Sequence, residues 1–203
     1  KYSQDSKLHP QYIIERMYEL TKGEAIITTE VGQHQMWAAQ FYKYTSPRQF
    51  LSSGGLGTMG YGFGACIGAQ IGKPGKKVIN VAGDGSFRMN CNELATAVEY
   101  KLPVIIAIFN NHVLGMVRQW QDLFYDGRYS STTLDRGTDF KALAEAYGAI
   151  GINVTTREDV DEALKRALAS EDAPVVINFE IDRDEKVFPI VPPGAPISEL
   201  IEE

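Results

Sequence analysis

Apolar positions along the chain follow two rhythms that take turns. Ala25–Thr29, Lys77–Ala82 (polar only at Lys77 and Asn80) and Val104–Phe109 are short, nearly unbroken apolar runs. Runs of that length suit strands buried on both faces of a parallel sheet. Between them the spacing becomes helical. Ile13, Ile14, Met17, Tyr18 and Leu20 follow Pro10 and stop near Gly23; Phe140, Leu143, Ala144 and Tyr147 are closed by Gly148. Leu94, Ala95, Ala97 and Val98 follow Asn90–Glu93, which has capping-box spacing, and Pro103 forces that helix to end by Leu102. Val160, Ala163, Leu164, Ala167 and Leu168 give the clearest stripe, with Asp161–Lys165 and Glu162–Arg166 on its wet side. Val175–Ile181 reads as the last strand, and its alternation from Ile177 predicts one exposed face or a sheet edge. This βαβα order predicts an α/β fold, an open, doubly wound, mainly parallel sheet with helices on both faces.

The domain is expected over residues 1–186, followed by a Pro-rich tail over 187–203 that crosses the surface in extended form. Gln121–Gly137, rich in Tyr, Ser, Thr, Asp and Gly, reads as a long loop. Gly60, Gly64, Gly68 and Gly72 recur every fourth position, a smooth helical stripe read either as an interdomain or subunit contact or as tight packing within the domain. A length of 203 residues and a net charge of −6 fit one ordinary domain. Without a basic run there is no nucleic-acid footprint, and the longest apolar stretch, Tyr61–Ile71, falls short of a membrane span. Cys66 and Cys91 read as reduced thiols of a cytoplasmic protein. A first residue of Lys1 predicts a start inside a longer polypeptide, or a processed or engineered end.

Polar residues appear as soon as two of the buried strands end: Gly83-Asp84-Gly85-Ser86 after one, Asn110-Asn111 after the other. In open α/β sheets ligands bind at such strand ends. Asp84 and Asn111 offer hard oxygen donors suited to Mg²⁺ or Ca²⁺, too few to complete about six ligands without a diphosphate, a backbone carbonyl and water. Gly83 and Gly85 leave room for phosphate oxygens, and Ser86 adds a hydroxyl. Gly55-Leu-Gly-Thr-Met-Gly60 satisfies G-x-G-x-x-G, yet it lacks a proper strand before it and a ribose-binding acid after it, which argues against a nicotinamide dehydrogenase.

Gly-Asp-Gly, 24 residues, then Asn-Asn resembles the signature of thiamine-diphosphate enzymes and their cofactor-binding fold. Gly32–Trp37, Ser53–Gly62 and Leu114–Gln121 are similar to the catalytic subunit of acetohydroxyacid synthase (acetolactate synthase), from about His9 to the Val191–Gly194 tail. That resemblance covers only the family's C-terminal, diphosphate-binding domain. It implies thiamine diphosphate and Mg²⁺ as cofactors, with FAD only in the complete enzyme. By position, Asp84, Asn111 and the Val113 backbone oxygen would hold the metal. Gln33 and His34 would lie beside the diphosphate, Gly83, Gly85, Ser86, Gly115 and Met116 would line the cofactor, and Met59 would be the wedge under its thiazolium ring. Trp120 would wall the substrate pocket. The implied reaction decarboxylates pyruvate and ligates the two-carbon unit to pyruvate or 2-ketobutyrate in branched-chain amino-acid synthesis. The family's glutamate acid–base comes from the pyrimidine domain of a neighbouring subunit. No catalytic residue is therefore assigned here, and the chain alone is expected to be inactive. Expected partners are the missing pyrimidine and FAD-associated domains, a second copy in a homo-oligomer, and a regulatory subunit. Pyruvate oxidase, a 2-ketoacid decarboxylase and a stand-alone cofactor-binding module are the alternatives.

Overall fold

A computed structural model describes residues 7–134 and 137–202. The ends of the expected domain and tail, and two residues of the expected loop, lie outside the described residues.

Six strands form one sheet: β1 (Ile26–Thr29), β2 (Phe50–Ser52), β3 (Val78–Gly83), β4 (Ile105–Asn110), β5 (Ile150–Val154) and β6 (Val175–Glu180). Their order is β2-β1-β3-β4-β6-β5 and every pairing is parallel. β3 and β4 are buried at every position, as their unbroken apolar runs required. The exception in β3, Asn80, is stabilised by the Thr28 hydroxyl, which donates to its Oδ1 at 3.0 Å. Helices cover both faces. α1 (Pro10–Leu20), α2 (Gln33–Phe41) and α8 (Val160–Leu168) bury Ile14, Trp37 and Leu164 with Val81, Ile105 and Phe179 on one side. α3 (Tyr61–Gly72), α5 (Leu94–Glu99) and α7 (Phe140–Ala146) bury Phe63, Ala97 and Phe140 with Val78, Ile106 and Val176 on the other. The doubly wound fold is thus as the sequence predicts.

Several local expectations are corrected. β6 is not an edge: it sits between β4 and β5, and its polar alternation feeds a part-buried network in which Asn178 donates to Asn153 and Glu180. Asn90 makes no capping box. It precedes a 3-10 turn, Cys91–Glu93, and donates instead to the Gly60 carbonyl. The stretch from Gln121 begins as helix, because α6 runs Gly115–Phe124. The chain beyond Phe124 is tied back to α6, through Tyr129 hydroxyl to Asp122 (2.7 Å) and the Arg118 guanidinium 3.8 Å over the Tyr129 ring. The tail is not merely laid on the surface, since Val187 and Ile190 are buried in the core and Ile190 pairs with Ile201.

A Cβ at Gly64, Gly68 or Gly72 would meet nothing, so these three face outward and are not packed within the domain. The tightly packed glycine is Gly62, outside that series. A Cβ there would lie 2.5 Å from Asn80 Oδ1 and from the backbone of β1. Both cysteines are free. Among the described residues, no helix is long and apolar enough to cross a membrane.

Candidate cofactor and cation site

The chain leaves β1 toward the sheet edge at β2, then returns to place β3 on the other side of β1 and continue outward to β4. A reversal of this kind opens a crevice at the carboxyl ends of the strands. Here it forms a cavity of about 270 Å³. After β1 come Gln33 and His34, opening α2; after β3 comes the one-turn α4 (Asp84–Phe87); after β4 come Asn111 and Val113, then Gly115 and Met116 opening α6. Gln33, His34, Met59, Gly83, Asp84, Gly85, Ser86, Asn111, Val113, Gly115 and Met116 all border this one cavity. The structure brings the expected set together, with one exception. Trp120 is 40% exposed and stacks edge-on with Phe124 at 5.8 Å, one helical turn beyond the cavity wall.

Asp84 is 1% exposed, and its Oδ2 has no hydrogen-bond partner. Burial pushes its carboxyl up to about 6, against the opposing pull of the Gly85 N–H and the Arg88 charge. An orphaned buried carboxylate oxygen is costly unless something cationic meets it. The Asn111 amide beside it is fixed at both ends: Oδ1 accepts from Val113 N–H at 3.2 Å and Nδ2 donates to Gln33 Oε1 at 3.3 Å. No group of three or more His, Cys, Asp or Glu that could hold a metal occurs among the described residues, so any cation at Asp84 would need most of its oxygens from groups other than carboxylates.

His34 is buried, and burial pulls its imidazole down to about 3, so the ring is neutral at ordinary pH. The Glu30 backbone engages the ring, and Nε2 has no partner. Gly83 and Gly85 are needed for more than phosphate approach. A Cβ at Gly83 would lie 2.8 Å from His34, and one at Gly85 2.8 Å from Leu114. Ser86 Oγ stands 3.4 Å from the Gly83 N–H.

Glu30 was not legible as part of the site. It is fully buried at the end of β1, and its carboxylate accepts from Gly60 N–H at 2.6 Å and Phe63 N–H at 2.9 Å. The start of α3 is therefore capped by the chain's own carboxyl group, which burial holds above the usual carboxylate range. A strand, β2, does precede the G-x-G-x-x-G run, contrary to expectation, but Glu30 already occupies the helix start where a dinucleotide phosphate would sit. Glu30 also pins the end of the segment that carries Met59 to the cavity. Gln119 was also missed. It is 2% exposed and bonds Gln33. Its only sequence signal was a polar residue on the inner face of an amphipathic helix.

The elevated Asp84 carboxyl has a measurable consequence. A folded-state value above the unfolded one means that this group's contribution to stability is present at low pH and is lost as pH rises through about 6. A divalent cation, were one to bind at Asp84, would have to displace that proton. Its affinity for the chain should therefore tighten about tenfold per pH unit below about 6 and level off above it, in titrations of Mg²⁺ from pH 4.5 to 8. A flat profile would mean that Asp84 does not meet the cation.

A family model for the C-terminal TPP-binding domain of thiamine pyrophosphate enzymes matches residues 30–179. Among curated relatives, the chain is 44% identical over 194 residues to the acetolactate synthase large subunit of Haemophilus influenzae, covering 96% of this chain and 34% of that one. It is 44% identical over 196 residues to the acetolactate synthase isozyme 2 large subunit of Escherichia coli (97% and 36%). It is 47% identical over 200 residues to the acetolactate synthase of Mycobacterium bovis (97% and 32%). The chain spans about a third of the length of these relatives.

Proposed function

Because the chain belongs to the thiamine pyrophosphate enzymes, as their C-terminal TPP-binding domain, we propose that it holds the diphosphate half of thiamine diphosphate through Mg²⁺ and serves acetolactate synthesis. The observation that carries the cation is Asp84 Oδ2, buried and without a partner, in a cavity that Asn111 also lines. Asp84 supplies a charge, Asn111 a neutral oxygen and Val113 a backbone oxygen; phosphate oxygens and water complete the six. A cavity of about 270 Å³ is just below the roughly 300–1,000 Å³ of whole-ligand pockets, as suits a face that covers part of a cofactor.

Thiamine diphosphate, when bound, supplies the electron sink for decarboxylating a 2-ketoacid and passing the two-carbon unit to a second one. The chain's residues anchor and orient. His34, neutral and facing the cavity, offers a ring nitrogen beside the phosphates without adding a fixed charge. Met59, tethered by Glu30 through Gly60, supports the thiazolium ring, and Met116 and Val113 keep that side apolar. The general acid–base for the pyrimidine ring is assigned to another domain of the complete enzyme and not to any of the described residues of this cavity. Pyruvate and 2-ketobutyrate as substrates, FAD in the complete enzyme, a homo-oligomer and a regulatory small subunit belong to the same proposal. The similarity to large subunits supports it. The decisive experiment is calorimetry with thiamine diphosphate, with and without Mg²⁺. Binding should require the metal and be lost in Asn111→Leu. Equal binding without metal would overturn the reading.

Trp120 remains the proposed wall for the acceptor's alkyl group. Since one methylene is worth about 0.8 kcal/mol, Trp120→Leu in the complete enzyme should shift the ratio of products from 2-ketobutyrate and pyruvate several-fold. Mg²⁺ and cofactor affinity should stay unchanged, because Trp120 lies outside the anchoring cavity. An unaltered ratio in competition assays would leave it a packing residue against Phe124.

A further inference from the structure

We propose that Gln119 is a positioning residue: through Gln33 it holds the Nδ2 end of the Asn111 amide, so that Oδ1 is the end left to meet the cation, and it takes its own orientation from the backbone of the tail at Glu185–Val187. The inference rests on the reading of Asp84 and Asn111 as cation ligands.

The two ends of a carboxamide are nearly identical in shape and opposite in hydrogen-bonding sense. For Asn111 the difference decides the site, because Oδ1 attracts a cation and the Nδ2 group repels it. A side-chain amide cannot set its own polarity; something that only donates or only accepts must set it. For Asn111 the Val113 N–H does this at Oδ1, at 3.2 Å, and the backbone of the tail does it at the Nδ2 end through two intervening amides. Val187 N–H donates to Gln119 Oε1 at 2.9 Å, and Gln119 Nε2 donates to the Val187 carbonyl at 2.8 Å. Reversing Gln119 would oppose donor to donor and acceptor to acceptor, so its orientation is fixed. Gln119 Oε1 then accepts from Gln33 Nε2 at 2.9 Å, and Gln33 spends its other N–H on the Glu185 carbonyl at 2.8 Å. Gln33 Oε1 is thereby turned toward Asn111, where it can only accept, and Asn111 presents Nδ2 at 3.3 Å. Oδ1 is then the end that accepts from the Val113 N–H, so the bonds at both ends of the amide agree on its polarity.

The three amides are 2%, 4% and 5% exposed, so water cannot easily substitute for a missing partner. Gln119 itself does not border the cavity, so it has no route to the cation other than this chain of bonds. Outer partners of this kind typically change metal affinity 10–100-fold.

Two substitutions separate polarity from packing. Gln119→Met keeps the length and removes both functions. Gln119→Glu keeps an acceptor toward Gln33 and loses the donor to Val187. Both should weaken the hold on the tail, seen as faster amide exchange near residue 187. Only Gln119→Met should raise the Mn²⁺ half-saturation, read by electron paramagnetic resonance at saturating thiamine diphosphate, and by about 10–100-fold. Parallel losses in both variants, or no loss in either, would overturn the relay. If Asn111→Leu abolishes Mn²⁺ binding while Gln119→Met leaves it untouched, the relay alone fails. If Asn111→Leu binds Mn²⁺ normally, the cation reading fails and the relay with it. A measurement on the unsubstituted chain serves if the variants do not fold. The Asn111 Nδ2 protons should exchange slowly with Mg²⁺ and thiamine diphosphate bound, and rapid exchange would count against the relay.

Discussion

Asp84→Ala should abolish the joint retention of Mg²⁺ and thiamine diphosphate while leaving the fold intact or firmer. The carboxylate is the only charged donor assigned to the cation, so its loss should exceed the roughly 10–100-fold typical of outer partners. Stability should move the other way. In the chain without ligands the Asp84 carboxyl is buried, lacks a partner at Oδ2, and is held up at about 6 by burial. At pH 8 it is ionised at a cost that alanine does not bear. Thermal denaturation at pH 8 without cofactor should therefore show an unchanged or raised midpoint, and calorimetry should show no Mg²⁺-dependent binding. A variant that binds normally would refute the anchor. One that simply unfolds would make Asp84 a structural residue.

Gly115→Ala should be the most damaging single-carbon change in the site. A Cβ at Gly115 would lie 2.0 Å from Gln33 Oε1 and 2.7 Å from Asn111 Nδ2. Neither amide can retreat, because Gln33 is bonded to Gln119 and Glu185 and Asn111 to Val113. Overpacking of this kind costs about 1–3 kcal/mol, or about 2–4 °C in melting midpoint per kcal/mol at this size. Cofactor affinity should fall well beyond what that loss explains, because the amide that presents Oδ1 is the group displaced. A normal Mg²⁺ titration in a variant with a lowered midpoint would show that the site tolerates the shift. Alanine at Gly64, where a Cβ meets open space, is the matched control and should bind normally.

The strands that carry the site were legible because they are buried on both faces, and the two polar clusters at their ends were legible because they interrupt such runs. What escaped reading shares one cause: residues whose role is set by a partner distant in sequence. β5 has the sequence Ile-Gly-Ile-Asn-Val, and nothing in it shows that Gly151 is small to admit α7, where a Cβ would come within 2.6 Å of the Lys141 carbonyl. Asn178 and Glu180 made β6 look like an edge, because the polar groups they bond lie on β4 and β5 or just beyond. Glu30 carries no local pattern, and Gln119 only that of a polar residue on the inner face of a helix. Each is a buried polar residue whose partners lie dozens of positions away. Trp120 shows the converse limit, since helical spacing gave its face but not how far the cavity extends along that face.

The place of β6 bears on how the chain is made. β4 pairs with β3 on one side and β6 on the other, and β5 pairs with β6 alone. During synthesis from the N-terminus, Ile105–Asn110 emerges long before Val175–Glu180, and until then its far edge presents unpaired amides and carbonyls along a strand of apolar residues. β5 waits with no neighbour at all. Such open edges are templates for pairing with other chains. The sheet is closed from within by almost the last regular element to appear, so a nascent chain released before residue 175 should be drawn to chaperones or to aggregates rather than to a smaller folded core.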